Sequence, residues 1–314
     1  MNRHLYINHL VFSFFKKITK QHKNMKQIIF ILIVAIVAGS CDKIEKPYKR
    51  EPIVVGIDTP SFPALDLKKV IQKYLFEDYT GHTCTNCPEG AEILKKMKMV
   101  MGDTLISIAV HVGATARPES GTGDCVYSAD YRTNAGDAYA AEFGVTSNPS
   151  GMINRKDFGG NCVLKGITTW ESTMSNVFRI APTMSIQIIP VHRSDTAYIF
   201  IKTTLLSDVS NKLRLCAVLV ENGIVSPQKN GKSSIGSVPN ICDYEHNHLL
   251  RTAITSTWGD VLELSKKDDA AVKAYALLLA GKSWQKENCR VIAYIYDGDT
   301  KEILQVEEVE LIEK

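Results

Sequence analysis

The sequence has no apolar run long enough to cross a membrane as a helix. The longest run, Ile28–Ala38, is unbroken and has the length of a signal-sequence core, whereas a spanning helix needs about 20 apolar residues. Because this run follows the positive charge of Lys26, it predicts a secretory signal within residues 1–40 and excludes a spanning helix at that run.

The chain has no excess of positive charge beyond this leader. The chain of 314 residues has 37 Lys and Arg against 34 Asp and Glu, a formal net charge of +3. Residues 1–40 contain no acidic residue and six basic ones: Arg3, Lys16, Lys17, Lys20, Lys23 and Lys26. Without these six, 31 basic residues face 34 acidic ones, a net charge of −3. The remainder has no basic excess, so we expect no nucleic-acid partner.

Zinc ligands are also few. A structural zinc site needs four ligands, usually two CxxC pairs or one pair with two histidines. The sequence has one CxxC pair, Cys84 and Cys87, with His82 nearby and no evident fourth ligand. We therefore expect no metal or other cofactor at this motif, and keep a metal site as the weaker alternative.

The leader ends in the small residues Ala38-Gly39-Ser40, followed by Cys41. This ending resembles the lipobox of bacterial lipoproteins, in which the cysteine is lipidated and becomes the new N-terminus. It departs from the lipobox at the third residue before the cysteine, where leucine is commoner than the alanine found here, Ala38. An ordinary cleaved signal followed by a chance cysteine is the alternative. Lipidation at Cys41 and a polar tether over residues 41–52 predict a lipoprotein of the cell envelope that is attached to the membrane through its lipid.

The natural start of such a signal is Met25. Residues 1–24 would then be an upstream over-annotation, and a genuine extended n-region is the alternative. The chain folds outside the cytoplasm in both cases, where disulfides can persist. Seven cysteines follow Cys41: Cys84, Cys87, Cys125, Cys162, Cys216, Cys242 and Cys289. Since seven is odd, at least one has no intrachain partner.

Residues 53–180 alternate between strand and helix patterns, which predicts an α/β domain. The predicted strands are Lys73–Thr80, Thr104–Val112 and Gly151–Asn154, and the predicted helices run from Pro88 to Met101, over Ser128–Phe143 and over Thr168–Ile180. Pro88 suits the first turn of a helix, because the amide proton it lacks would have no partner there. The two CxxC cysteines therefore lie at a strand-to-helix junction.

This position favours redox chemistry. The N-terminus of a helix stabilises a thiolate, which makes Cys84 the attacking group, and Cys87 is placed to resolve a mixed disulfide. A static disulfide is the main alternative in an extracytoplasmic protein. His82 and Glu77 are close enough in sequence to tune Cys84, but a packing or solvated role is the simpler interpretation. The redox hypothesis requires an accessible Cys84 sulfur close to the Asn148–Pro149 peptide.

The segment FGVTSNPSGMINR, residues 143–155, resembles the loop that carries the cis-proline of thioredoxin-like folds. The resemblance implies that Pro149 is a cis-proline that presents the substrate backbone to the reactive cysteine. Thr85-Asn86 between the cysteines differs from the usual dipeptides. The hairpin expected after Pro149 is hard to find in residues 155–166, so the sheet edge there is predicted to be short or rebuilt.

Residues 181–314 have the pattern of an all-β domain. Long apolar runs separated by turns predict an antiparallel, immunoglobulin-like sandwich, and Asp297-Gly298 between two of them indicates a hairpin. Cys216 lies in a run that is apolar on both faces, so we expect it in the core. For the other cysteines, spacing cannot fix the connectivity, and we predict Cys125–Cys162 and Cys242–Cys289 pairs.

His246 and His248 are the only other ligand-like pair. If they lie in a strand, both imidazoles share a face and could grip a metal ion. The simpler interpretation, polar residues at a turn before Leu249-Leu250, is favoured.

Four segments together resemble one Bacteroidetes family, the outer-membrane-protein-28-related lipoproteins: residues 75–91, 145–151, 243–260 and 287–305. The resemblance implies an outer-membrane lipoprotein, on its periplasmic or surface face, with a thioredoxin-like domain followed by a β-sandwich. It implies no settled activity: a surface or adhesive role is compatible with it alongside the redox role that the fold suggests.

Two functions therefore stay open. In one, Cys84, Cys87 and Pro149 carry out thiol–disulfide exchange on extracytoplasmic proteins. In the other, the protein binds surface ligands or mediates adhesion without catalysis, and the Cys84–Cys87 disulfide is structural.

Overall fold

Strands dominate the computed structural model, which describes residues 57–119, 125–177 and 181–312. The predicted signal, Met25, Cys41 and the tether lie outside these residues. The strands are β1 (Tyr74–Thr80), β2 (Leu105–His111), β3 (Ser150–Ile153), β4 (Leu164–Lys165), β5 (Met184–Arg193), β6 (Thr196–Leu205), β7 (Leu213–Glu221), β8 (Ile224–Val225), β9 (Gln228–Lys229), β10 (Asn240–Ile241), β11 (Glu245–His246), β12 (Leu249–Ala253), β13 (Asp260–Leu262), β14 (Ala270–Leu278), β15 (Cys289–Asp297) and β16 (Ile303–Glu310).

The helices are α1 (Cys87–Met101), α2 (Asn134–Glu142) and α3 (Trp170–Ser175), accompanied by short 3₁₀ turns. The predicted helix over 128–143 is too long at its start, because the Thr133 hydroxyl accepts a hydrogen bond from Gly136 N and so caps α2 there. Helix α1 ends where predicted, at Gly102, whose positive φ of 55° suits a residue without a side chain. No helix within the described ranges is long and apolar enough to cross a membrane.

The main sheet has nine strands and mixes parallel with antiparallel pairs. Its order is β16-β15-β7-β12-β2-β1-β3-β4, and β13 also pairs with β7. Strand β12 joins the two halves, because it pairs parallel to β2 and antiparallel to β7. The regions predicted as 53–180 and 181–314 thus contribute to one sheet, and their described residues belong to one compact unit.

A second sheet, with strand order β14-β6-β5, forms a separate layer of antiparallel strands. Side chains of both sheets share one apolar core, to which Met184 of β5, Ile199 of β6 and Leu215 of β7 contribute. Alternation along these strands turns one face of each sheet inward. Two layers of antiparallel strands therefore pack here, as the sequence predicts in coarse form.

Helix α1 covers the other end of the main sheet. Its Leu94 and Met97 pack on Phe76 of β1 and on Trp170 of α3, and the Phe76 and Trp170 ring centroids are 4.9 Å apart. The edge strand β4 has only two residues and pairs with Ser150 and Gly151, which confirms the predicted short edge. This packing fixes the N-terminus of α1 next to the end of β1.

Candidate functional site

The CxxC motif occupies the turn between β1 and α1. Cys84 and Cys87 form a disulfide, and the amide of Cys87 donates to the Cys84 carbonyl, 3.4 Å away. The structure thus confirms the predicted strand-to-helix junction. Thr85 and Asn86 are exposed, yet Cys84 is only 5% exposed and Cys87 only 3%. The accessible Cys84 that the redox hypothesis requires is therefore absent from the structure.

Pro149 reaches the same end of the sheet. The Asn148–Pro149 peptide is cis, as predicted, and the β1–β3 register pairs Tyr79 with Ser150, which places Pro149 beside Thr80. The Asn148 amide donates to the carbonyls of Thr80 and Val112 at 2.8 and 2.9 Å. These bonds hold the Pro149 loop at the strand end from which the CxxC turn begins.

A segment from the C-terminal half lies against the CxxC turn. We call residues 226–242, which contain β9 and β10, the strap. The amides of Lys229 and Gly231 donate to the carbonyls of His82 and Thr85 at 2.8 and 2.9 Å. The Gln228 side chain donates to the Cys84 carbonyl at 3.0 Å and to the Gly81 carbonyl at 3.3 Å. The strap therefore accounts for much of the polar bonding around the turn.

The strap is also fastened to Glu119, Cys125 and Tyr127. A disulfide joins Cys125 to Cys242, the Tyr127 hydroxyl donates to Asn240 at 2.8 Å, and Lys229 forms an ion pair with Glu119 at 2.8 Å. Unlike the CxxC cysteines, Cys242 is exposed. The strap thus contacts the turn of the buried Cys84–Cys87 disulfide and contains one cysteine of the more exposed Cys125–Cys242 disulfide.

Both long-range disulfide predictions are wrong. Cys125 pairs with Cys242, while Cys162 and Cys289 are free. The Cys162 sulfur lies 3.6 Å from that of Met152, and the Cys289 sulfur donates to the Gln285 carbonyl. Cys216 is fully buried, which confirms its predicted core position.

Three buried histidines lie at the base of the CxxC turn. His82, His111 and His246 are 1%, 3% and 5% exposed, and the His111 ring centroid is 6.2 Å from that of His82 and 5.7 Å from that of His246. Tyr131 contacts all three rings. Within the described part of the chain, both ring nitrogens of His82 and His111 and Nε2 of His246 make no hydrogen bond of normal geometry.

Burial keeps these imidazoles neutral. It lowers the pKa of His82, where the backbone of Arg117 partly offsets the effect, and lowers the pKa of His111 well below its ordinary value. The pKa of His246 falls to about 4, mainly by burial and then by the charge of His82. At acid pH, protonation would therefore place positive charge on imidazoles that are shielded from water, which is unfavourable.

We expect the stabilising contribution of the histidine cluster to be lost as the pH falls below about 6.5. Below that pH the histidines of the unfolded state bind protons while His246 in the folded state does not, so proton binding stabilises the unfolded state. At pH 5 the His246 contribution alone is about 2 kcal/mol. Urea unfolding at pH 7.5 and pH 5 should show that His246→Phe loses less stability than the wild type. An equal loss in both proteins would contradict the assignment.

The weaker alternative for His246 and His248, a shared metal site, has no support in the geometry, because the two residues do not share a strand face. Strand β11 ends at His246, and His248 has a positive φ of 56°. The pKa of His248 is lowered by burial and then raised in part by the charge of Glu308, away from the histidine cluster. Among the residues that the structure describes, no three His, Cys, Asp or Glu side chains are arranged to hold a metal ion.

Two neighbouring carboxylates of β1 are buried next to the site. Glu77 forms a two-pronged ion pair with Arg155, at 2.7 and 2.8 Å, so it is a packing residue, as the simpler interpretation held. Asp78 has no comparable cation, and burial raises its pKa to about 7. The sequence signal for both was visible as two acids within the apolar run KYLFEDYT. His111 also ends an apolar run, but nothing local connects it to His246.

Comparison with known proteins gives a family match and several structural neighbours. A family model described as "Outer membrane protein Omp28" matches residues 136–314. HBP35 of Porphyromonas gingivalis is 14% identical, with a TM-score of 0.54 over 77% of this chain and 76% of that chain. At that identity the likeness concerns the fold alone. No curated protein sequence matches.

Two further solved structures are less similar. A domain of the outer membrane lipoprotein Omp28 from Porphyromonas gingivalis is 19% identical, with a TM-score of 0.29 over 42% of this chain and 90% of that chain. A protein from Agrobacterium tumefaciens is 13% identical, with a TM-score of 0.42 over 78% of this chain and 97% of that chain.

Proposed function

Because the chain belongs to the Omp28 outer membrane protein family, we propose that it is an outer-membrane lipoprotein that exchanges disulfides with extracytoplasmic proteins through Cys84 and Cys87. Lipidation of Cys41 would attach it to the membrane, and protein thiols or disulfides would be its partners. We propose no nucleic-acid partner.

The observation that carries the proposal is a disulfide between cysteines three residues apart at the start of the 15-residue helix α1. The partial positive charge of the helix N-terminus favours the thiolate form of a cysteine placed there. The order β1–CxxC–α1–β2–α2–Pro149–β3 supports a thioredoxin-like interpretation of residues 53–180. The two antiparallel layers of residues 181–314 support the immunoglobulin-like interpretation.

The exchange would proceed in two displacements. A substrate thiolate attacks the Cys84 sulfur, the Cys84–Cys87 bond breaks, and Cys87 leaves as a thiolate that takes up a proton. A second substrate thiolate then attacks the substrate sulfur of the mixed disulfide and releases Cys84. The reverse sequence reduces a substrate disulfide, and the relative reduction potentials set the direction. Either direction requires the CxxC turn to open, because both sulfurs are buried.

The same burial favours a second candidate, a non-catalytic surface protein in which Cys84–Cys87 is structural. Buried disulfides resist attack, whereas labile and catalytic ones are accessible. The two candidates differ in one measurable property, namely how fast Cys84 reacts in the folded protein.

We expect Cys87→Ser to trap a mixed disulfide between Cys84 and oxidised glutathione under native conditions, measured by intact-mass analysis and peptide mapping. The matched control is Cys84→Ser/Cys87→Ser, which should gain no adduct at this site. If Cys84 forms the adduct only after the protein is unfolded with urea, both in Cys87→Ser and when Cys125 and Cys242 are also replaced by serine, the structural candidate is correct.

A further inference from the structure

The Cys125–Cys242 disulfide has no role in the exchange proposed for Cys84 and Cys87. It closes a covalent loop between positions 117 residues apart. Cys242 is exposed and Cys125 is half-buried. Of the two disulfides, this one is therefore the more open to a thiol in solution, since the residues Cys84 and Cys87 are only 5% and 3% exposed.

The residues between this disulfide and the CxxC turn belong to the strap. Strand β10 ends one residue before Cys242 and pairs with β9, whose Gln228 and Lys229 bond the CxxC turn. The Asn230 side chain ties the strap together by donating to the carbonyls of Lys232, Gly236 and Ser237. Cys242 is therefore connected to the CxxC turn through a short hairpin that has its own internal hydrogen bonds.

The strap contacts the turn mainly through polar groups. Gly231 fits closely, because a side-chain carbon there would lie 3.3 Å from the Thr85 carbonyl. Lys232 forms an ion pair with Glu89 on α1. Exposed ion pairs contribute little stability, and net hydrogen-bond energies are modest. The covalent bond is thus the strongest single fastening of the strap, and its loss would raise the population of locally opened states.

We propose that Cys125–Cys242 is a second thiol-exchange site, whose reduction releases the strap and admits partners to Cys84–Cys87. The reductant is a dithiol, either a small molecule or a protein. One of its thiolates attacks the Cys242 sulfur, forms a mixed disulfide with it and expels Cys125 as a thiolate. The second thiolate attacks the reductant's sulfur in that mixed disulfide, closes the reductant's own disulfide and expels Cys242. The two cysteine thiolates take up protons, and two electrons have passed from the reductant to the protein. This inference rests on the proposed function, since it describes control of the same site.

The test is the order and rate of reduction of the two disulfides by dithiothreitol in the folded protein, followed by alkylation and peptide mapping. We expect Cys125–Cys242 to open first. In Cys125→Ser/Cys242→Ser, reduction of Cys84–Cys87 should become about ten-fold faster or more. Cys162→Ser, which removes a free cysteine outside the strap, is the matched control and should not change either rate.

Amide hydrogen exchange separates release of the strap from general destabilisation. The Lys229 and Gly231 amides, which donate to His82 and Thr85, should lose protection in the double variant while β7 and β15 keep theirs. Gln228→Ala, with both disulfides intact, should accelerate reduction of Cys84–Cys87 to a smaller extent. This second variant also serves if the double variant folds poorly.

Two results would overturn the inference: Cys84–Cys87 opening before Cys125–Cys242 in the wild type, or the same Cys84–Cys87 rate in the double variant and the wild type. Failure of the proposed function has a different signature. In that case dithiothreitol reduces Cys84–Cys87 of the double variant rapidly, and the strap amides lose their protection from hydrogen exchange. Even so, Cys84 forms no mixed disulfide when the substrate is a folded protein that contains a disulfide.

Discussion

Replacing Glu77 with glutamine is expected to destabilise the protein by about 3–5 kcal/mol. The Arg155 guanidinium is 0% exposed and its partner Glu77 2% exposed, so the substitution leaves a positive charge buried without a counter-charge. Rings of Tyr139, Phe143 and Tyr294 surround the guanidinium, with centroids 4.9–5.1 Å from its central carbon. They compensate in part, because cation–π contacts in desolvated sites contribute about 2 kcal/mol.

A second substitution, Arg155→Met, tests whether the uncompensated charge causes this destabilisation. Glu77→Gln/Arg155→Met should be less destabilised than Glu77→Gln alone, because the uncompensated charge is gone. Denaturant unfolding of the wild type, both single variants and the double variant measures this coupling. Glu142→Gln is the matched control, since its ion pair with Lys301 lies at the surface with both side chains partly exposed and should contribute less than about 1 kcal/mol. Additive effects in the cycle would show that the pair is not coupled.

The sequence predicts the local frame of the site because local patterns determine it. Pro88 and Gly102 mark the two ends of α1, and the apolar run before Gly81 forms β1. The Asn148–Pro149 element was also correctly predicted, since it resembles a known loop and lies in a short, recognisable segment. These features depend on residues that are close together in the chain.

The rest of the site depends on contacts that sequence spacing cannot supply. Gln228 of the strap lies 144 residues from Cys84 in the chain, yet its side chain donates to the Cys84 carbonyl. The pairing of Cys125 with Cys242 follows from that placement. His82, His111 and His246 likewise meet from three separate segments. Each of the three residues has an ordinary packing interpretation when considered alone.

Removing the charge of Asp78 is expected to stabilise the protein at alkaline pH, whereas removing that of its neighbour Glu77 destabilises it. Successive residues of a strand face opposite sides of the sheet, so Asp78 lies away from Arg155 and near Tyr244, whose pKa is raised chiefly by burial and further by the Asp78 charge. In the described chain, Oδ1 of Asp78 has no hydrogen-bond partner. Burial then raises the pKa of Asp78 from 3.8 to about 7.

The sign of the pH effect follows from this shift. The folded state holds the Asp78 proton up to about pH 7, whereas the unfolded state releases it near pH 3.8. The stabilising contribution is therefore present below pH 3.8 and is lost as the pH rises through 7. Integrated over the shift, the loss is about 4 kcal/mol. Asp78→Asn does not titrate, so it should be more stable than the wild type at alkaline pH.

We expect the stability advantage of Asp78→Asn to grow by about 2–3 kcal/mol between pH 5 and pH 8.5, measured by urea unfolding at each pH. The histidine cluster does not obscure this result, because its contribution is the same in both proteins and cancels in their difference. Asp58→Asn, at an exposed position, is the matched control and should show no such trend. A pH-independent difference between Asp78→Asn and the wild type would mean that the Asp78 carboxylate is compensated in the fold, and that the end of β1 can hold a charge beside the CxxC turn at no net loss of stability.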